Sequence, residues 1–146
     1  MTILAVWHRS NMGKTQSIRQ FTLALLNTPT LSPTILLDDP NLHHPHWDFF
    51  MVIEANGKKV GIASQGDPQS GLQTKLTDLA TNHQCDVIVC SSRTRGTTVK
   101  EIETVANAHN YNIIWTSTYQ AGSNHRVMNQ LKGQHMLDLL VQSGVL

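Results

Sequence analysis

The chain has 146 residues, 40% of them hydrophobic and only 14% charged, with a net charge of +1. That length carries one domain, residues 1–146, with a proper core, and the composition excludes a disordered chain. The near-neutral charge, without a basic stripe, gives no indication of nucleic-acid binding, and no apolar run approaches membrane-span length.

The amino-terminal Met1-Thr2-Ile3-Leu4 lacks the basic start and small-residue cleavage site of a signal peptide. Cys85 and Cys90 bracket the apolar run Val87–Val89. Strand geometry would hold them about 17 Å apart, too far for a disulfide. Reduced thiols in a cytoplasmic protein are expected.

In chain order, the apolar run Ile3–Trp7 predicts a strand, and Lys14–Asn27 a helix with Ile18, Phe21 and Leu25 on one face. Thr28-Pro29 ends that helix, because proline cannot continue it. A short strand, Thr34–Leu37, runs into Asp38-Asp39-Pro40, and a polar loop follows with His43, His44, Pro45, His46 and Trp47. Asn56-Gly57 between two β-rich runs predicts a hairpin of Phe49–Glu54 with Lys59–Ser64. The hairpin should supply one antiparallel edge strand.

Asp67 then Pro68 reads as an N-cap and first helical position for a helix to Asn82, with Leu72, Leu76, Leu79 and Ala80 on one face. Asp86–Ser91 is a buried strand. Thr98 and Glu101 form a capping-box pair for a helix to His109, with Val99, Ile102, Val105 and Ala106 inward. Asn112–Ser117 is a strand. Asn124–Gln142 is a helix with Met128, Leu131 and Leu139 among its apolar positions. Helices separating short apolar strands mean an α/β fold with a mostly parallel sheet covered on both faces.

In such sheets ligands bind at the carboxyl ends of the strands. The segments placed there are His8–Thr15, Asp38-Asp39, Ser64–Asp67, Ser91–Thr97 and Thr116–Ala121. They gather many of the chain's polar residues. The first ends in Gly13-Lys14-Thr15 between a strand and a helix, the layout of a phosphate-binding P-loop. Backbone N–H groups of Asn11, Met12, Gly13, Lys14 and Thr15 would cradle a triphosphate, where the helix dipole favours an anion. Lys14 would reach the β/γ-phosphates, and the Thr15 hydroxyl would ligate Mg²⁺. The full pattern has glycine where this chain has His8.

With that loop the chain resembles small P-loop NTPases and kinases, and the resemblance implies a three-layer α/β/α fold that binds ATP with Mg²⁺. The run Val60–Gly66 resembles the second hairpin arm of Ras-like GTPases. Gly66 matches their Asp-x-x-Gly, but Ala63 stands at its Asp, and Ser91-Ser92-Arg93-Thr94 replaces the guanine-reading Asn-Lys-x-Asp. Small-molecule and nucleotide kinases carry acidic residues after the second and third strands and lid arginines. That likeness points to Asp38 or Asp39 for the metal, Asp67 as the third-strand acid, and Arg93 or Arg95 as the mobile cation.

The expected activity is NTP hydrolysis or phosphoryl transfer to an acceptor. One alternative is a non-catalytic nucleotide-binding module that regulates a protein partner or acts as a homo-oligomer. Another is an interaction scaffold with a decayed loop. The His43, His44 and His46 cluster lacks a second ligand set at a known metal spacing and reads as exposed loop histidines.

Overall fold

Strand β1 (Thr2–Trp7) sends alternate side chains into two separate cores, Leu4 and Val6 into one and Ile3 and Ala5 into the other. β5 (Val87–Ser92) repeats the division, with Val87 and Val89 on one face and Ile88 and Cys90 on the other. A strand apolar on both faces must be covered on both, and the helices meet that need in two pairs. α1 (Lys14–Leu26) packs with α4 (His125–Gln142) over the first core, through Ile18, Phe21, Leu25, Met136, Leu137 and Leu140. α2 (Leu72–Thr81) packs with α3 (Thr97–His109) over the second, through Leu72, Leu76, Leu79, Ile102, Val105 and Ala106.

The computed structural model describes residues 1–9 and 13–146. Its remaining strands are β2 (Thr34–Leu37), β3 (Phe50–Ala55), β4 (Lys58–Ala63) and β6 (Asn112–Thr116). They form one six-stranded sheet in the order β2-β3-β4-β5-β1-β6. β4, β5, β1 and β6 pair in parallel, while β3 runs against both of its neighbours. The antiparallel strand therefore lies inside the sheet, and β2 holds the edge that the sequence assigned to the hairpin. Both helix pairs stop short of β2, whose four residues are all exposed.

Two local expectations are corrected. α2 begins at Leu72 after Gly71, not at Pro68. The Asp67 carbonyl instead closes a turn with the Ser70 N–H, and its carboxylate meets Arg93. The Thr98–Glu101 capping box does not form, because the Thr98 hydroxyl accepts hydrogen bonds from the Arg93 N–H and the Ser92 hydroxyl. Leu131 is exposed, and α4 turns Lys132, Gly133, Met136, Leu137 and Leu140 inward. Gly133 lets the two helices touch, since a Cβ there would lie 2.5 Å from the Phe21 backbone nitrogen.

Cys85 and Cys90 are free thiols, and both are buried. Among the described residues no helix is long and apolar enough to cross a membrane.

Candidate functional site

The chain after β1 enters α1 on one face of the sheet, and the chain after β5 leads to α3 on the other. Neighbouring parallel strands whose connections part in this way open a crevice at their carboxyl ends. A cleft of about 400 Å³ occupies that place, lined by Gly13, Lys14, Thr15, Gln16, His46, Asp48, Gln65, Gly66, Asp67 and Ser91. A larger hollow of about 670 Å³ runs along α2 beside Glu101. It holds no residue from a strand end, so the smaller, strand-end cleft is the candidate site.

Gly13 sits at φ 78°, a left-handed conformation that favours glycine, and its carbonyl accepts the Ser17 N–H at 2.9 Å to start α1. Lys14 follows on the first turn. Its Nζ donates to the His8 carbonyl at 2.8 Å and the Arg9 carbonyl at 3.0 Å. No carboxylate among the described residues lies within ion-pair distance of it. Burial pushes its pKa down, Asp67 pushes it up, and Arg93 pushes it down. A buried cation whose partners among the described residues are neutral carbonyls, at a helix N-terminus, is an arrangement that an anion would complete.

The Thr15 hydroxyl donates to Asp48 Oδ1 at 2.9 Å. Ser64, fully buried at the end of β4, donates to the same oxygen at 3.0 Å and accepts the Phe49 N–H at 2.8 Å. Asp48 is thus fixed from α1 and β4 together. Asp48 Oδ2 makes no hydrogen bond among the described residues. Gly66 closes the floor of the cleft, where a Cβ would lie 1.9 Å from the Ser91 carbonyl oxygen.

The loop carrying Asp48 is stapled to α1. Arg19 is 4% exposed and donates to the carbonyls of Leu42 (2.8 Å), Asn41 (3.4 Å) and Trp47, while lying 5.3 Å from the Phe49 ring centroid. Gln16 adds a bond to the Pro45 carbonyl at 2.5 Å. His46 reaches the cleft by this route, and His44 stacks on Trp47 at 3.9 Å. Among the described residues no three His, Cys, Asp or Glu side chains gather as a metal site.

The structure brings Gly13, Lys14, Thr15 and Asp67 to the cleft. Asn11 and Met12 lie outside the described residues. Arg93 stands behind Asp67, with Nε 3.1 Å from its carboxylate in an exposed pair. Arg95 is exposed and has no partner among the described residues. Asp38 is exposed and does not line the cleft. Asp39 caps the turn after β2 instead, accepting the N–H groups of Asn41 and Phe50, each at 3.0 Å.

Sequence reasoning missed Asp48, Gln16 and Arg19, while Gln65 falls in the strand-end segment Ser64–Asp67 that it placed there. For Asp48 a signal existed. It precedes β3, which runs against both of its neighbours, so the start of β3 lies at the edge where the parallel strands end; Phe50 pairs with Ala63.

A further hollow of about 440 Å³ also borders Gly13 and is lined by Tyr119, Ala121, His125, Met128 and Asn129 among others. No protein-family model, curated protein or solved structure matches the chain.

Proposed function

We propose that this is a Mg²⁺-dependent P-loop nucleotide-binding protein that takes ATP and hydrolyses it or transfers its terminal phosphoryl group. The observation that carries this reading is the meeting of Gly13, Lys14 and Thr15 with Asp48 in one cleft at the β1/β5 crevice. The two helix pairs on opposite faces of the sheet support a three-layer α/β/α fold of the P-loop type. The buried free thiols support a reducing compartment such as the cytoplasm.

The triphosphate would lie across the N-terminus of α1, with the nucleoside in the hollow beside Tyr119. Lys14 would exchange the His8 and Arg9 carbonyls for phosphate oxygens. A hard cation needs oxygen ligands, and Mg²⁺ commonly uses one or two carboxylates together with substrate phosphates. The Thr15 hydroxyl and Asp48 Oδ1, 2.9 Å apart, fit that demand. The bound metal would neutralise charge on the phosphate oxygens. Asp67 with Arg93 borders the same cleft, and release of that exposed pair would free a guanidinium for the terminal phosphate.

One feature favours a second reading, binding without turnover: the positions of the first loop glycine and of the Ras-like aspartate hold His8 and Ala63. Equilibrium dialysis with Mg-ATP followed by a phosphate-release assay separates the two. Binding with release above the no-protein rate supports the enzyme, binding without release supports the module, and no binding at millimolar ATP sinks both.

A further inference from the structure

The phosphate cleft has a neighbour. A hollow of about 180 Å³ shares Asp48 and Gln65 with it and is otherwise lined by Asp39, Phe49, Phe50, Ala63 and Lys75. These two residues border both hollows. Asp39 is held in place by the two backbone N–H groups that its carboxylate oxygens accept. Lys75 is less engaged. Its ammonium has one hydrogen-bond partner among the described residues, the neutral Gln65 Oε1 at 2.6 Å, and no carboxylate within ion-pair distance. Asp48 Oδ2 likewise makes no hydrogen bond among the described residues.

We propose that this hollow is the acceptor subsite, and that the acceptor is a small hydroxy compound carrying one anionic group, a carboxylate or a phosphate monoester. The proposal rests on the nucleotide reading above. The anionic group meets Lys75, which has ammonium protons to spare. Phe50 forms a half-buried apolar wall. The volume is below that of pockets for drug-sized ligands, about 300–1,000 Å³, which restricts the acceptor to a few carbons. The hydroxyl end then faces Asp48, beside the terminal phosphate. The acceptor oxygen bonds to the γ-phosphorus while the bond from that phosphorus to the β–γ bridging oxygen breaks. The hydroxyl proton passes to an oxygen of the transferred phosphoryl group, and the nucleoside diphosphate leaves with the bonding electron pair.

The test measures ADP release and phosphorylated product by mass spectrometry, using the full chain with Mg-ATP. The probes are D-glycerate for the carboxylate, glycerol 3-phosphate for the phosphate monoester, and glycerol as the uncharged control. One anionic probe should be phosphorylated, and which one identifies the anionic group. Lys75→Met should raise the KM for that probe about tenfold or more, the worth of a hydrogen bond between charged groups, with Lys75→Arg recovering part of it. Phosphorylation of glycerol as readily as the anionic probes, or an unchanged KM in Lys75→Met, overturns the proposal. So does failure of both anionic probes in protein that still binds Mg-ATP. Failure to bind Mg-ATP at all overturns the nucleotide reading beneath it.

Discussion

Replacing Lys14 by methionine separates a binding lysine from a structural one. Its Nζ holds the His8 and Arg9 carbonyls, which favours keeping it, but its cation is buried without a carboxylate, which does not. These terms oppose each other, so the unliganded variant should melt within a few degrees of wild type. The liganded forms should differ widely. At a Mg-ATP concentration 100 times Kd, binding stabilises the native state by about 2.7 kcal/mol. For a domain of this size that is a shift of roughly 10 °C, at about 3–4 °C per kcal/mol. Losing about 3 kcal/mol of charge-assisted bonding to phosphate weakens Kd by roughly 100-fold. At the same ligand concentration the stabilisation falls to about 0.4 kcal/mol, near 1 °C. Differential scanning fluorimetry reads both values. An undiminished shift in a folded Lys14→Met variant refutes the assignment of the loop. The lysine also carries a pH signature. Its folded pKa lies below its ordinary value of 10.5, so the wild type gains stability from this group as pH rises toward 10.5, and the variant does not.

Asp48→Asn should reduce the Mg²⁺-dependent part of ATP affinity about tenfold or more; Kd measured with Mg²⁺ and with EDTA gives the difference, and an unchanged difference removes Asp48 from the metal site. Gly66→Ala forces a Cβ against the Ser91 carbonyl and should cost about 3 kcal/mol, read as a lower urea midpoint; an unchanged midpoint contradicts the close approach of the two strand ends. Burial pushes the Cys90 thiol from its ordinary 9.0 up to about 12. Between those values the unfolded chain loses a proton that the folded one keeps, so stability falls with rising pH by about 1.4 kcal/mol per pH unit from this group. Cys90→Ala should flatten the alkaline limb of the stability profile by that amount, and parallel limbs for the two proteins would argue against a buried neutral thiol.

The order of strands and helices was legible because period and punctuation agreed along the chain. Both-face apolar strands such as Ile3–Val6 and Val87–Cys90 announced a covered sheet, and Asn56-Gly57 announced the hairpin. Gly13, Lys14 and Thr15 were legible as a loop between a strand and a helix. The failures have local causes. Asp67-Pro68 has the chemistry of a helix start, but Asp67 is engaged by Arg93 and Ser70, and the helix waits for Gly71. The inward face of α4 includes Lys132 and Gly133, which a search for apolar periodicity passes over. Lys132 is buried because its amine reaches the Thr116 hydroxyl at 2.6 Å. Asp48 escaped a rule framed on the carboxyl ends of strands, since it begins a strand that runs the other way. Arg19 carries no signal of its own in the sequence. Only the tertiary approach of the 41–47 loop gives its guanidinium the carbonyls that hold it buried.

A crystal structure of the protein grown with Mg²⁺ and a non-hydrolysable ATP analogue tests the central claim most directly. The account predicts triphosphate density against the backbone of Gly13–Thr15, Lys14 Nζ moved from the His8 and Arg9 carbonyls onto phosphate oxygens, and an ion between Thr15 and Asp48. An analogue bound elsewhere, or a cleft left empty at saturating ligand with Lys14 still on its carbonyls, would contradict it.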